Sequence, residues 1–452
     1  VPRQLTVWLF GRFVGTLAQV DGRLVFGYAP EWLAQADAVP LSQSLPLQPA
    51  PFDDRATRPF FAGLLPEGDK RKQVAQALHV SRQNDFALLD GIGGECAGAV
   101  TLLEPGQTPP AGAIENAVQW LTSAELVATI DDMPRRPMLA GAQDMRLSLA
   151  GAQDKLPVVV RLASGEVQIG LPRFGSPSTH ILKPAIPGIE GSVFNEGFCM
   201  ALARALQLDV ANAAIHRVQD GPEQRAFLLV QRYDRQQAPV DPAAPPNASV
   251  RLHQEDFCQA LGHPPETKYQ NEGGPDLAQA FDLLRRATRP SAPSTLRLLD
   301  FVIFNALVGN HDAHAKNFSL LYTQKTEMQV TVLAPLYDAL STAVYPRLTD
   351  KMAMKIGSRY KFSEVQAGHW VQLASAAKLS PAQVKKRLLA IAKRLPSLAL
   401  VTRAALEAEG CGHPLLAQIV QLIDQRCALS IRRLTEAPKT PDPQETPPPA
   451  TP

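Results

Sequence analysis

The chain has 452 residues, 45% of them hydrophobic, with 45 lysines and arginines against 43 aspartates and glutamates. That length holds two or three packed units with a sizeable core, and a net charge of +2 gives no global basic field with which to bind nucleic acid unaided. Five scattered cysteines (Cys96, Cys199, Cys258, Cys411, Cys427) without C-x-x-C spacing, no signal peptide after Val1-Pro2-Arg3 and no apolar run of spanning length lead us to expect a reduced, cytoplasmic protein with no membrane association.

Leu5 to Tyr28 reads as strands with turns at Gly11-Arg12 and Asp21-Gly22, and from about Phe60 to Leu89 the pattern becomes helical. Val74 to Ser81 has the look of half a helix-turn-helix, but the candidate second helix, Phe86 to Leu89, is short and runs into Gly91. We read it as the packed helix of an N-terminal domain. Leu139 to Asp144 spells LAGAQD, as does Leu149 to Asp154; only the second copy is followed by a lysine and an alternating strand, so the first is read as a silent duplication in a linker.

The second copy belongs to a loop, Ala150-Gly151-Ala152-Gln153-Asp154-Lys155, whose small residues let backbone N–H groups approach phosphate oxygens, although it is neither G-x-G-x-x-G nor a Walker A motif. Leu156, Val158, Val160 and Leu162 alternate, Ser164-Gly165 turns, and Val167 and Ile169 resume the alternation, which predicts a hairpin. Ser178 to Pro184 is a short strand carrying Lys183, in place to contact a phosphate. Phe194-Asn195-Glu196 opens an amphipathic helix through Met200, Ala203 and Leu206; Glu196 is a candidate partner for Lys183, or an ordinary first-turn acid. The strand Phe227 to Val230 follows, and Gln236 to Asn247 is a Pro- and Ala-rich surface loop.

Pro293-Ser294 opens a mostly apolar helix to Val308, with Ser294 as N-cap and Gly309 as stop; Arg297 and Asp300 interrupt it, and it is expected to be buried in a large domain. The loop Gly309 to Asn317 sets Asp312 and Asn317 in D-x-x-x-x-N spacing. In a kinase catalytic loop that Asp accepts the proton of an attacking hydroxyl and the Asn holds magnesium. Phe318 to Tyr322 and Val330 to Leu333 read as a hairpin leading to Asp338, where a second metal-holding carboxylate is required. An Asp and an Asn in one loop also form Asx turns and caps. His311 and His314 beside Asp312 suggest a zinc or iron site, for which the sequence offers no obvious third ligand. The order of buried helix, loop, hairpin and Asp favours a kinase. From about Ser363 to Leu434 the pattern is helical with basic faces, and Thr435 to Pro452 is rich in Pro, Thr and acidic residues and reads as disordered.

Together RLSLAGAQDK (146–155), STHILKP (178–184), NEGFCMALARAL (195–206), LLVQRYDR (228–235), NHDAHAKNFSLLY (310–322) and LYDAL (336–340) resemble the HipA family of serine/threonine kinase toxins from type II toxin–antitoxin systems. RPFFAGLLPEG (58–68) and GGECAGAV (93–100) look like that family's extra N-terminal domain, and the resemblance spans roughly residues 1 to 434. It implies an α+β fold: a two-lobed, protein-kinase-like domain related to lipid kinases, with an extra N-terminal α+β domain and a helical C-terminal part. The implied division is 1–105 N-terminal domain, 106–145 linker, 146–260 kinase N-lobe, 261–434 C-lobe and 435–452 tail.

The resemblance implies ATP and Mg2+ as cofactors and Asp312 as general base, with Asn317 and Asp338 on the metal. It implies nucleotide contacts from Ala150 to Lys155, Lys183, the hinge Gln231-Arg232-Tyr233, His314, Lys316, Asn317, Tyr337 and Asp338. Gln231 departs from the family's usual Glu, at little cost where hinge contacts run through the backbone. Ser148 matches an autophosphorylated serine, with its hydroxyl expected near the γ-phosphate. Implied partners are a small helix-turn-helix antitoxin dimer, operator DNA through that complex, and a protein substrate in the translation machinery such as an aminoacyl-tRNA synthetase, whose phosphorylation inhibits growth. Asp312-Ala313-His314 also resembles the D-x-H of phosphoinositide kinases, so a lipid or small-molecule kinase is one rival. A mainly DNA-complex-binding corepressor is the other.

Overall fold

The computed structural model describes residues 3–110, 117–141, 145–163, 165–237, 249–325 and 328–436. The chain opens as an antiparallel meander, β1 (Arg3–Leu9), β2 (Arg12–Val20) and β3 (Arg23–Tyr28). Its turns are Phe10-Gly11 and Asp21-Gly22, each pair at positive φ, as two-residue hairpins matching the strand twist require. Four helices follow, α1 (Pro30–Leu33), α2 (Asp54–Ala62), α3 (Gly68–Ala77) and α4 (Asp85–Ile92), and then β4 (Val100–Leu103), which pairs with β1. Asp53 and Asn84 cap α2 and α4 by accepting from the Ala56 and Ala87 N–H groups. Alternation in β1 sends Leu5, Val7 and Leu9 into a core with Phe26, Phe60 and Phe86. Val74 and Ala75 are buried in that same core, so the helix-turn-helix likeness is a packed helix.

Residues 106–145 are not a spacer. Within them β5 (Val118–Trp120) pairs with a strand of the next sheet, and α5 (Ser123–Asp132) starts from a Thr122/Glu125 capping box. Ala142, Gln143 and Asp144 of the first LAGAQD copy lie outside the described residues, as do most of the Pro/Ala-rich loop and residues 437–452 of the tail.

The hairpin after the small-residue loop is β6 (Leu156–Ala163) and β7 (Glu166–Pro172), followed by β8 (His180–Pro184), α6 (Ser192–Ala205), β9 (Ala213–Asp220) and β10 (Glu223–Gln231). They form one antiparallel sheet in the order β5-β7-β6-β8-β10-β9. Neighbours in β10 serve opposite cores: Phe227 and Leu229 pack with the N-terminal unit, Leu228 and Val230 with α6 and the helical lobe. Gly197 lets α6 lie close on this sheet, since a Cβ there would stand 2.5 Å from Ile215.

After the hinge come β11 (Arg235–Gln237), β12 (Ser249–Arg251), β13 (His253–Asp256), α7 (Phe257–Leu261), α8 (Leu277–Ala287), α9 (Ser291–Val308), β14 (Ser319–Lys325) and β15 (Met328–Leu333). β13, which precedes the expected 260/261 division, pairs with β14, which follows it. Helix α9 starts at Ser291 behind Pro290. Ser294 is inside it, buried, its Oγ accepting from the Leu333 N–H, and Gly309 ends the helix at φ +78° as expected. Its 18 residues are long and apolar enough to cross a membrane by length and composition, against the expectation that no apolar run reaches spanning length. Burial decides its place: Leu298, Leu299, Ile303, Phe304 and Leu307 are sealed in the core, and Asp300 pairs with Arg387. The lobe finishes with β16 (Lys351–Ile356), β17 (Arg359–Lys361), α10 (Ala367–Ala376), α11 (Pro381–Ala408) and α12 (Leu415–Thr435).

Candidate active site

A cleft of about 660 Å3 opens between the sheet and the helical lobe. Its floor is a cluster of buried charge. Lys183, near the end of β8, donates from Nζ to Glu196 Oε1 at 2.7 Å and to Asp338 Oδ1. Burial alone would lower the lysine's pKa, but the two carboxylates outweigh it and hold the ammonium well above its ordinary range. Burial likewise opposes ionisation of Asp338, and Lys183 and Lys155 override it, keeping the carboxylate ionised far into acid. Asp338 has φ +58°, a left-handed conformation that a non-glycine residue adopts only under constraint from its surroundings. Lys155 Nζ turns back to the Ala150 carbonyl at 2.5 Å, closing the small-residue loop over the cleft.

On the opposite wall, Gly309 ends α9 and the chain turns through Asp312. The Asp312 N–H donates to Asn310 Oδ1 (3.1 Å), and its carbonyl accepts from the His314 N–H (2.7 Å) and Asn317 Nδ2 (3.1 Å). The backbone is thereby fixed. Burial raises the Asp312 pKa, while the Tyr269 hydroxyl, donating to Oδ1 at 2.7 Å, lowers it. With Nδ2 engaged, the Asn317 Oδ1 has no donor among the described residues. Burial keeps the His314 ring neutral, edge-on to Tyr269 at 5.2 Å.

At the hinge the Gln231 and Arg232 N–H groups donate to the Asn212 and Thr179 carbonyls, whereas the Tyr233 N–H has no acceptor among the described residues. The Tyr337 ring stands 5.6 Å from that of Tyr233, and its hydroxyl donates to the Lys316 carbonyl. Ala150 to Gln153, Lys155, Lys183, Gln231, Tyr233, Asp312, His314, Lys316, Asn317, Tyr337 and Asp338 thus surround one cleft.

Four expected residues are used differently. The Arg232 side chain leaves the cleft for a buried ion cluster with Glu95 and Asp234. Asp154 turns away to Lys70, 2.7 Å off on α3. Lys316 Nζ donates to Asp256 Oδ2 at 2.7 Å, so its charge is already balanced. Ser148 has no exposure, and its hydroxyl donates to the Leu64 carbonyl of the N-terminal unit at 2.7 Å rather than facing a γ-phosphate position. Among the described residues no three His, Cys, Asp or Glu side chains gather to hold a metal, and the His311 ring lies between the Thr349 carbonyl and Arg426, so the zinc or iron reading finds no third ligand. The sequence reading missed Glu67, which stands in the quoted RPFFAGLLPEG (58–68) stretch but was given no role, and Asp256, Lys268 and Tyr269, which lie in no motif; all four reach the cleft only through tertiary packing.

The HipA N-terminal domain matches residues 5–103 and the HipA-like C-terminal domain residues 147–399. The chain belongs to the HipA family. It is 30% identical over 380 residues to the "Serine/threonine-protein kinase toxin HipA" of Shewanella oneidensis, 82% of either chain. It is 47% identical over 389 residues to "Putative kinase Y4mE" of Sinorhizobium fredii, 85% of this chain and 88% of that one. The solved Shewanella oneidensis HipA, in complex with HipB and its operator DNA, aligns with a TM-score of 0.76 at 25% identity, covering 95% of this chain and 98% of that one. The expected α+β, kinase-like HipA architecture is the one observed.

Proposed function

We propose that this chain is an ATP- and magnesium-dependent protein kinase acting on serine or threonine hydroxyls, and that it works as a growth-inhibiting toxin. The observation that carries the reading is Lys183 clasped by Glu196 and Asp338 on the floor of a cleft whose facing wall presents Asp312. Asp312 takes the proton of the acceptor hydroxyl; the oxygen bonds to the γ-phosphorus as the bond to the β–γ bridging oxygen breaks, and ADP leaves. Lys183 holds phosphate oxygens in line, and the small-residue loop covers them with backbone N–H groups. The free Tyr233 N–H is the hinge donor for the adenine. Asn317 Oδ1 and the ionised Asp338 are hard oxygen donors that suit magnesium, which supplies charge neutralisation on the phosphates when bound.

The solved relative supports the choice of partners. A helix-turn-helix antitoxin dimer and, through it, operator DNA are the proposed partners, because the aligned HipA was solved with both HipB and DNA. With a net charge of +2 the isolated chain should bind DNA weakly and in a salt-sensitive way. A protein of the translation machinery is the proposed substrate class, and Ser148 the site of inactivating self-phosphorylation. Since the Ser148 hydroxyl faces Leu64, that step requires the loop to leave its seat first.

The test is incubation of the purified chain with ATP, magnesium and a cell extract, following ADP release and phosphoprotein formation. Wild type should transfer phosphate to protein, with loss on chelation and in Asp338→Ala. Labelled lipid in place of protein would move the chain to the lipid-kinase class. No transfer at all would leave the corepressor role alone.

A further inference from the structure

Tyr269 lies in the loop between α7 and α8, outside every sequence motif, yet its hydroxyl occupies Asp312 Oδ1. Asn310, His314 and Asn317 fix the Asp312 backbone alone, and the phenol is the one hydrogen-bond partner of its carboxylate among the described residues. Tyr269 is also half-buried at the wall of the cleft rather than packed in the core. Its neighbour Lys268 reaches across to the N-terminal unit, donating to Glu67 Oε2 at 2.7 Å. Glu67 in turn is tied to the phosphate loop, its N–H donating to the Gly151 carbonyl at 3.1 Å. The Tyr269 loop is thus bonded to Asp312 through the phenol and to the N-terminal unit through Lys268.

We propose that Tyr269 marks and occupies the acceptor subsite: its phenol stands where the substrate hydroxyl must bind Asp312, and Glu67 holds it there through Lys268. The acceptor serine or threonine must displace Tyr269 before its own proton can be taken. A phenol and an aliphatic hydroxyl make the same kind of hydrogen bond to a carboxylate, which is why one can stand in for the other. The loop's attachment to Glu67 makes access to the base depend on the N-terminal unit. This inference rests on the kinase reading above.

The experiment compares the full-length wild type with Tyr269→Phe, Glu67→Gln, Asp312→Asn and the double variant Tyr269→Phe/Asp312→Asn. The readouts are ATP hydrolysis and the kcat and KM of transfer to casein. Tyr269→Phe should raise kcat/KM for casein about tenfold, the scale of one released hydrogen bond to a charged group. Its KM for ATP should move far less. Glu67→Gln should move casein transfer the same way by less, and the double variant should fall to the level of Asp312→Asn. The change should lie in the KM for casein rather than in the KM for ATP; a merely structural tyrosine would leave the casein KM in place. An active wild type with Tyr269→Phe equal or slower overturns the gate alone. Phosphate on Tyr269 itself would make it an acceptor and also overturn the gate. No turnover in any variant, wild type included, removes the kinase reading and this inference with it.

Discussion

Two buried ion clusters sit on either side of the hinge, and they do opposite jobs. At the interface of the N-terminal unit and the hinge, Glu95 and Asp234 face Arg232 and Arg235 with all four side chains almost without solvent contact. Charges balance there, and further donors find the Cys96 and Gly98 carbonyls and the Ser178 hydroxyl, leaving Arg235 Nε as the one guanidinium donor of the pair with no acceptor among the described residues. Burial alone would raise the Glu95 pKa, but the arginines outweigh it and hold it at about 2. In the cleft, Lys183 and Glu196 are buried, but the Asp338 side chain keeps 31% exposure to an open volume, so it is shared between a lysine and a cavity. Buried charge alone therefore does not mark a site. What marks it is charge whose partners can be exchanged for a ligand.

Asp312→Asn is the sharpest way to test the functional side of this contrast. It should lower phosphoryl transfer by about 10²–10⁴-fold, the range of a lost general base, with a denaturant midpoint near that of wild type. Glu95→Gln should do the reverse. Leaving two buried guanidinium groups short of one carboxylate costs about 3–5 kcal/mol, to be read from urea unfolding, while turnover per folded molecule should hold. If Glu95→Gln instead loses turnover with its stability intact, the two clusters are one functional unit and the comparison breaks.

Much of the cleft was legible because kinase chemistry demands particular residue types at short spacing. Asp312 with Asn317, Lys183 with a helical Glu196, and Asp338 after a hairpin are each local patterns, and the structure gathers all of them. The element types were legible from alternation and from glycine turns, as in β1 to β3 and at Gly309. What stayed hidden is non-local. Arg232 was read as hinge, yet its side chain answers to Glu95, 137 residues earlier. Residues 106–145 were read as linker because β5 is only three residues long and is a strand solely through its pairing with β7. Tyr269 has no signal at all, since its role depends on Asp312 lying across the fold.

Glu255 offers a third, intermediate case: a buried acid with hydroxyl and amide donors but no cation. It accepts from the Ser42 hydroxyl (2.5 Å), the Gln43 N–H (3.0 Å) and the Tyr322 hydroxyl (2.5 Å), and burial outweighs them, raising its pKa from 4.5 to about 7. A carboxyl whose folded pKa is raised binds more protons folded than unfolded between those values. Its contribution is therefore present in acid and lost as pH rises from about 4.5 to 7, at most roughly 3 kcal/mol. Unfolding at pH 5 and pH 8 should show this loss in wild type relative to Glu255→Gln. Parallel pH dependence of the two would mean that Glu255 is ionised throughout and that burial does not dominate it.

The smallest expected effect belongs to Ser148, and it decides to which region the serine belongs. Its N–H donates to the Glu95 carbonyl (2.9 Å) and its hydroxyl to the Leu64 carbonyl (2.7 Å), so in this conformation it is part of the N-terminal interface although it stands two residues before the phosphate loop. Ser148→Ala leaves the Leu64 carbonyl without this donor and should cost about 1 kcal/mol in thermal unfolding. Turnover should hold. Ser148→Asp should differ in kind. A carboxylate cannot donate to the Leu64 carbonyl and carries a charge into a site with no exposure, so the loop must leave its seat. Nucleotide affinity should then fall, measured by ATP titration. If Ser148→Asp binds ATP as wild type does, the seat of Ser148 is not coupled to the loop that covers the phosphates, and self-phosphorylation there would not switch the protein off by this route.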